Sequence, residues 1–168
     1  MLLICCGMPR SGSTLQFNLA WKLAEAGGIG QRVEWRSSDD WAAADAELAG
    51  LATAPELHVV KMHFPPDSVK RLADETGRVR FFYVHRDIRD VVYSMKTKFN
   101  FTLSRAIRRV SESLEAEAWL QTRPADHVLI ENYAVLLDDL PSAIAKASGL
   151  GAESACSGMV SDSGRCRF

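Results

Sequence analysis

Four short groups of residues in this 168-residue chain carry side chains that do chemistry. The first is Gly7-Met8-Pro9-Arg10-Ser11-Gly12-Ser13-Thr14, set between an apolar run, Leu2 to Cys6, and a helical pattern that starts at Leu15. A strand, a glycine loop and a helix in that order turn backbone N–H groups inward, and the helix N-terminus adds partial positive charge. Such a loop suits a phosphate-like anion, and Arg10, Ser13 and Thr14 add side-chain donors. The second group is Lys61-Met62-His63, an ammonium and an imidazole that titrates near neutrality. The third runs from Arg86 to Ser94, eight residues or a little over two helical turns. Arg offers a forked pair of donors and Ser a hydroxyl, so the two could share a phosphate; ordinary capping with surface Arg–Asp pairs explains that segment about as well. The fourth is Glu131-Asn132-Tyr133.

The elements that must position these groups follow from the apolar pattern. Strands are expected over Leu2–Cys6, His58–Met62, Val79–Val84 and His127–Ile130, with a weaker one over Val33–Arg36. They are short and lack strict alternation, as strands buried on both faces do. Helices are expected over Thr14–Ala26, Asp40–Leu51, Asp67–Glu75, Ile88–Lys98 with Asp87 as N-cap, Leu103–Gln121 and Tyr133–Ala147. In the fifth of these, Leu103, Ile107, Val110 and Leu114 form an apolar stripe. Strand–helix alternation predicts an α/β fold: three layers, a parallel sheet flanked by helices. Ligands in such sheets sit at the carboxyl ends of the strands, where all four groups fall. Residues 1–150 read as a single domain, and 151–168, rich in Ser and Gly, as an irregular tail and a shortened end.

Composition narrows the function. A hydrophobic share of 47% and a charged share of 24% are those of a soluble globular protein. The net charge of −1 argues against nucleic acid or membrane as a partner. Residues 61–110, however, hold 12 basic and 5 acidic residues, a local excess that suits an anionic ligand. No apolar run nears the ~20 residues of a membrane span, so a cytoplasmic location is expected. Cys5 and Cys6 point to opposite faces of a strand, Cys156 and Cys166 lie in the tail, and no His/Cys spacing suits a metal, so none is expected.

The first loop matches the nucleotide-binding pattern G-x-x-x-x-G-K-[ST] except that Ser13 replaces the lysine. Together, Pro9-Arg10-Ser11-Gly12-Ser13-Thr14 and Arg86-Asp87-x-Arg89-Asp90-x-x-x-Ser94 resemble the two motifs of the sulfotransferases that use 3′-phosphoadenosine-5′-phosphosulfate (PAPS). The resemblance implies a P-loop-like fold, PAPS as donor, adenosine 3′,5′-bisphosphate (PAP) as product, and transfer of a sulfuryl group to a hydroxyl or amine of a small-molecule or glycan acceptor. It implies that Arg10, Ser11, Gly12, Ser13 and Thr14 hold the 5′ side, and that Arg86 and Ser94 hold the 3′-phosphate. Lys61-x-His63 resembles the family's Lys-x-His, which makes His63 the general base and Lys61 and Arg10 stabilisers of the moving group. Tyr133 would lie near the adenine. The chain departs from the family in placing Leu15 where an adenine-stacking aromatic often stands, and in having no counterpart of the basic C-terminal loop. Trp35, Trp41, Phe64, Phe99 and Phe101 are candidates for an apolar acceptor pocket. Two other classes fit the residues: a small nucleotide-dependent kinase with a degenerate P-loop, and a nucleotide-binding module without turnover.

Overall fold

A computed structural model describes residues 1–34, 36–37, 40–41 and 43–157, with side chains described to residue 150. Five parallel strands form one sheet: β1 (Leu2–Gly7), β2 (Gly30–Arg32), β3 (Leu57–Lys61), β4 (Val79–His85) and β5 (Val128–Asn132). Their order across the sheet is β2-β3-β1-β4-β5. Among the described residues seven helices connect or follow them: α1 (Ser13–Ala26), α2 (Asp45–Thr53), α3 (Asp67–Thr76), α4 (Ile88–Phe99), α5 (Leu103–Leu120), α6 (Tyr133–Asp138) and α7 (Leu140–Ser157).

The central strand explains the layering. Every residue of β1 is buried, because alternate side chains feed two different cores. Leu3 and Cys5 pack with Val59, Phe82 and Val84 beneath α1 and α7; Leu2, Ile4 and Cys6 pack with Val60, Phe81 and Tyr83 on the other face. The adjacent cysteines therefore do lie on opposite faces, and burial raises both thiol pKa values well above the ordinary range. A third, smaller core joins α4 to α5 through Met8, Val91, Met95, Ala106 and Val110. Because the chain leaves β1 for one side of the sheet and returns on its other side at β4, the switch in strand order lies at the mouth of the first loop.

Several local expectations change. The weak strand is Gly30–Arg32 rather than Val33–Arg36, and residue 35 lies outside the described residues. Gly30 enables that pairing, since a Cβ there would stand 2.2 Å from the Leu57 carbonyl oxygen. The second expected helix, Asp40–Leu51, is interrupted at Ala43 and Ala44 and resumes as Asp45–Thr53. Of the expected stripe of α5 only Val110 is buried: Leu103, Ile107 and Leu114 are exposed, and Ala106, Ser113, Ala116 and Leu120 complete the packed face. Small residues on this side let the helix approach closely, which outweighs the larger apolar stripe. The last expected helix breaks at Asp139, whose carboxylate accepts from the Ser142 N–H at 3.2 Å and starts α7 afresh. Residues 151–157 of the expected tail continue α7; the rest of it, including Arg165, Cys166 and Arg167, lies outside the described residues.

Candidate functional site

The first loop is held from behind. Ser11 Oγ donates to the carbonyls of Met8 (2.6 Å) and Val84 (2.9 Å), and its backbone N–H donates to Met8 O at 3.1 Å. The hydroxyl and backbone N–H of Ser11 are thus spent on loop shape, and Ser11 is fully buried away from the cleft. Gln16 Nε2 donates to Phe82 O and Cys6 O, fastening α1 to the sheet just behind the loop. Gly7 lies so close to β4 that a Cβ would meet Val84 O at 2.4 Å. Gly12 is left-handed (φ 83°), and a Cβ there would stand 2.4 Å from the Tyr133 ring. Arg10 is also left-handed (φ 69°), a conformation that costs a non-glycine residue energy and concentrates at functional loops. Gly12 caps α1 without a side-chain bond, and no acidic residue occupies the first turn. The leading N–H groups of α1 therefore face the cleft uncapped, as an anion site requires.

Around this loop the carboxyl ends of β1, β3 and β4 enclose a cleft of about 480 Å³. The structure brings into its lining Arg10, Gly12, Ser13, Thr14, Lys61, His63, Arg86, Ser94 and Tyr133, which is every expected site residue except Ser11. Their pairings differ in part from the expectation. Ser94 Oγ accepts from Arg10 Nε at 3.1 Å, not from Arg86. Arg86 donates through Nε and Nη2 to Asp90 (3.2 and 3.0 Å) and lies 5.0 Å from the Tyr133 ring centroid. Asp87 caps α4 by accepting from the Arg89 N–H, and its bonds to Arg89 hold its carboxyl down at about 2. Asn132 caps α6 by accepting from the Ala134 N–H at 2.8 Å, and so fixes the start of the helix that carries Tyr133.

Lys61 answers the missing loop lysine. Its Nζ donates to Thr14 Oγ1 at 2.7 Å, bringing an ammonium to the loop from β3, and burial pushes its pKa down. His63 follows two residues on. Its backbone carbonyl accepts from the Gly7 N–H at 3.2 Å, and its Nδ1 is buried with no hydrogen-bond partner among the described residues. Burial lowers its pKa, the Lys61 charge adds to that, the Gly7 backbone opposes it, and the Arg109 charge lowers it again. A neutral imidazole near pH 7 is the form a general base needs.

Of the aromatic candidates, Phe99 and Phe101 line the cleft, and Phe64 adjoins it with its ring centroid 6.1 Å from that of His63. Trp41 is fully buried in the core beneath α2, so it is no part of an acceptor pocket; Trp35 lies outside the described residues. Sequence reasoning missed Lys98, which lines the cleft one helical turn beyond Ser94. The i, i+4 spacing on α4 is the signal that could have found it.

No family model matches the chain, and no curated protein matches it. Solved structures do. The fold is shared with retinol dehydratase in a complex with retinol and PAP (TM-score 0.51, 22% identity over 89% of this chain and 60% of that one). It is shared with mouse sulfotransferase SULT7A1 complexed with PAP (TM-score 0.59, 13% identity, 93% and 64%). A gluconokinase from Sinorhizobium meliloti 1021 has it too (TM-score 0.58, 15% identity, 90% and 93%). The chain thus has a P-loop-like α/β fold of the sulfotransferase and kinase kind. It spans about three-fifths of the retinol dehydratase and SULT7A1 chains. No helix among the described residues is long and apolar enough to cross a membrane.

Proposed function

We propose that the chain binds PAPS and transfers its sulfuryl group to an acceptor hydroxyl or amine. The observation that carries this reading is the convergence of a lysine-free phosphate loop, Lys61, His63, Arg86 and Ser94 on one cleft. The uncapped amides of Ser13 and Thr14 with Arg10 suit the 5′-phosphosulfate; Arg86 and Ser94, which line the same cleft, suit the 3′-phosphate. Tyr133, resting on Gly12 and under Arg86, is suited to the adenine. In the reaction the acceptor oxygen or nitrogen forms a bond to sulfur as the bond from sulfur to the bridging oxygen breaks. His63 takes the acceptor's proton, and PAP leaves with the electron pair. Arg10 and Lys61 offset the charge that develops on the bridging oxygen, and the fixed loop holds the line of transfer.

A test is release of PAP from PAPS in the presence of a panel of hydroxyl and amine acceptors, with His63→Ala as control. Acceptor-dependent release that His63→Ala removes supports the reading. Turnover that His63→Ala leaves intact at neutral pH removes His63 from the mechanism.

A kinase is the second reading, favoured by the gluconokinase likeness, which extends over 93% of that chain. Lys61 at Thr14 would then stand in for the loop lysine. Magnesium-dependent ATP turnover separates the two. A nucleotide-binding module without turnover would bind PAP and transfer nothing.

A further inference from the structure

The donor reading uses the cations on the loop side of the cleft and leaves a second set unused. Lys98 lines the cleft, and its ammonium has no ion-pair partner among the described residues. Arg109 of α5 stands 5.7 Å from the Phe64 ring, which itself adjoins His63. Glu112 accepts from one nitrogen of Arg109, Nη1, at 2.8 Å; the rest of the fork makes no hydrogen bond among the described residues. Arg109 is also anchored from below. Tyr83 Oη donates to the Ser113 carbonyl at 2.9 Å, and Ser113 Oγ donates to the Arg109 carbonyl at 2.7 Å. The aromatic groups of this wall are each faced by an arginine: Phe99 by Arg10 at 5.0 Å, Phe101 by Arg105 at 4.0 Å, and Phe64 by Arg109. A wall for a neutral apolar acceptor has no use for a cation without a carboxylate, as Lys98 is, or for one with donors to spare beyond its carboxylate, as Arg109 is, because desolvating them costs free energy.

We infer that the acceptor is an anionic hydroxyl compound, carrying a carboxylate or an ester sulfate, whose charge is read by Lys98 and Arg109 while its hydroxyl reaches His63. This rests on the sulfotransferase reading for the reacting group, but the charge preference is a property of the α4–α5 wall. Lys98 and Arg109 act as specificity-determining residues: each would gain a charge-assisted hydrogen bond that a neutral acceptor does not offer.

The test is calorimetric titration with two matched probe pairs, each run with and without saturating PAP: 4-hydroxyphenylacetate against 4-ethylphenol, and methyl glucuronide against methyl glucoside. The expected result is tighter binding of the anionic member in at least one pair, by about tenfold or more. Lys98→Met should bring that ratio to about threefold or less, with a smaller loss of PAP affinity, and Lys98→Glu should invert it. Arg109→Met provides a second reading of the same ratio. A preference under about threefold in both pairs, undetectable binding included, overturns the inference. So does a Lys98→Met variant that keeps the preference or weakens PAP as much as the probe. Failure of PAP to bind overturns the donor reading instead, and the titrations without PAP still test the charge preference.

Discussion

The two sides of the cleft are built by different means. The loop side is backbone: glycines at close approach, a left-handed Arg10, and a serine whose hydroxyl and backbone N–H are used internally. The α4–α5 side is long side chains on helices whose outer faces stay exposed, with Tyr93, Phe99, Leu103 and Ile107 among the most exposed apolar residues. A backbone cradle fixes where an anion sits and tolerates little change. A wall of side chains can select among ligands and can be rewritten residue by residue. Under the proposed reading, recognition of the donor would fall to the rigid side and recognition of the acceptor to the adaptable side.

Substitutions separate these roles. The largest effect should come from His63→Ala, which sits between the two sides and is expected to lower kcat by about 10²- to 10⁴-fold with PAP affinity nearly preserved. Steady-state kinetics beside PAP calorimetry checks this, and a matching loss in both would make His63 a structural residue. Next is Gly7→Ala. Its Cβ would collide with the Val84 carbonyl, backbone that cannot swing aside, so we expect a loss of about 3 kcal/mol in denaturant unfolding. Wild-type stability in this variant would show the loop to be as adaptable as the opposite wall. Arg86→Ala should weaken PAP by about 10- to 100-fold while ATP binding changes less.

Acid gives a broader and milder effect. His63 and the buried His58 both have pKa values lowered chiefly by burial. When folded they stay neutral at pH values where the unfolded chain takes up protons, below about 6.5. Stability should therefore be level above that pH and fall as the pH drops toward the folded values. The acid limb of kcat/KM should likewise lie below about 6.5. Chemical denaturation and rate profiles across pH 5–8 check both, and a rate that halves above 7 would contradict a depressed imidazole. The smallest effect belongs to Asp90→Asn. Asp90 competes with a phosphate for Arg86, so its neutralisation should tighten PAP by about two- to threefold. Weaker binding would mean that Asp90 orients Arg86 rather than occupying it.

The same contrast explains what the sequence revealed. Strand, loop and helix around Gly7–Thr14 were legible because backbone geometry dictates residue type: two glycines, a buried run before them and a helical pattern after. Arg86 and Asp87 were legible for the same reason, as the end of one element and the cap of the next. What was not legible depended on side chains reaching across the fold. The bonds from Ser94 to Arg10 and from Lys61 to Thr14 join residues far apart in the chain. The packing of Tyr133 on Gly12 requires β5 to lie beside β4. On α5 the apolar stripe shares only Val110 with the packed face, because Ala106, Ser113 and Ala116 pack by being small and give little hydrophobic signal. Lys98 and Arg109 looked like any solvated cation until the fold set them beside the cleft.

On the proposed reading the loop side holds a nucleotide through two separated phosphates, one at the α1 N-terminus and one at Arg86. Calorimetric competition between PAP and ATP–magnesium for this site tests it most directly. PAP is expected to bind without magnesium and more tightly than ATP–magnesium, and Arg86→Ala to remove the difference. Preference for ATP–magnesium, unaffected by Arg86→Ala, would contradict it and return the chain to the kinase side of its fold.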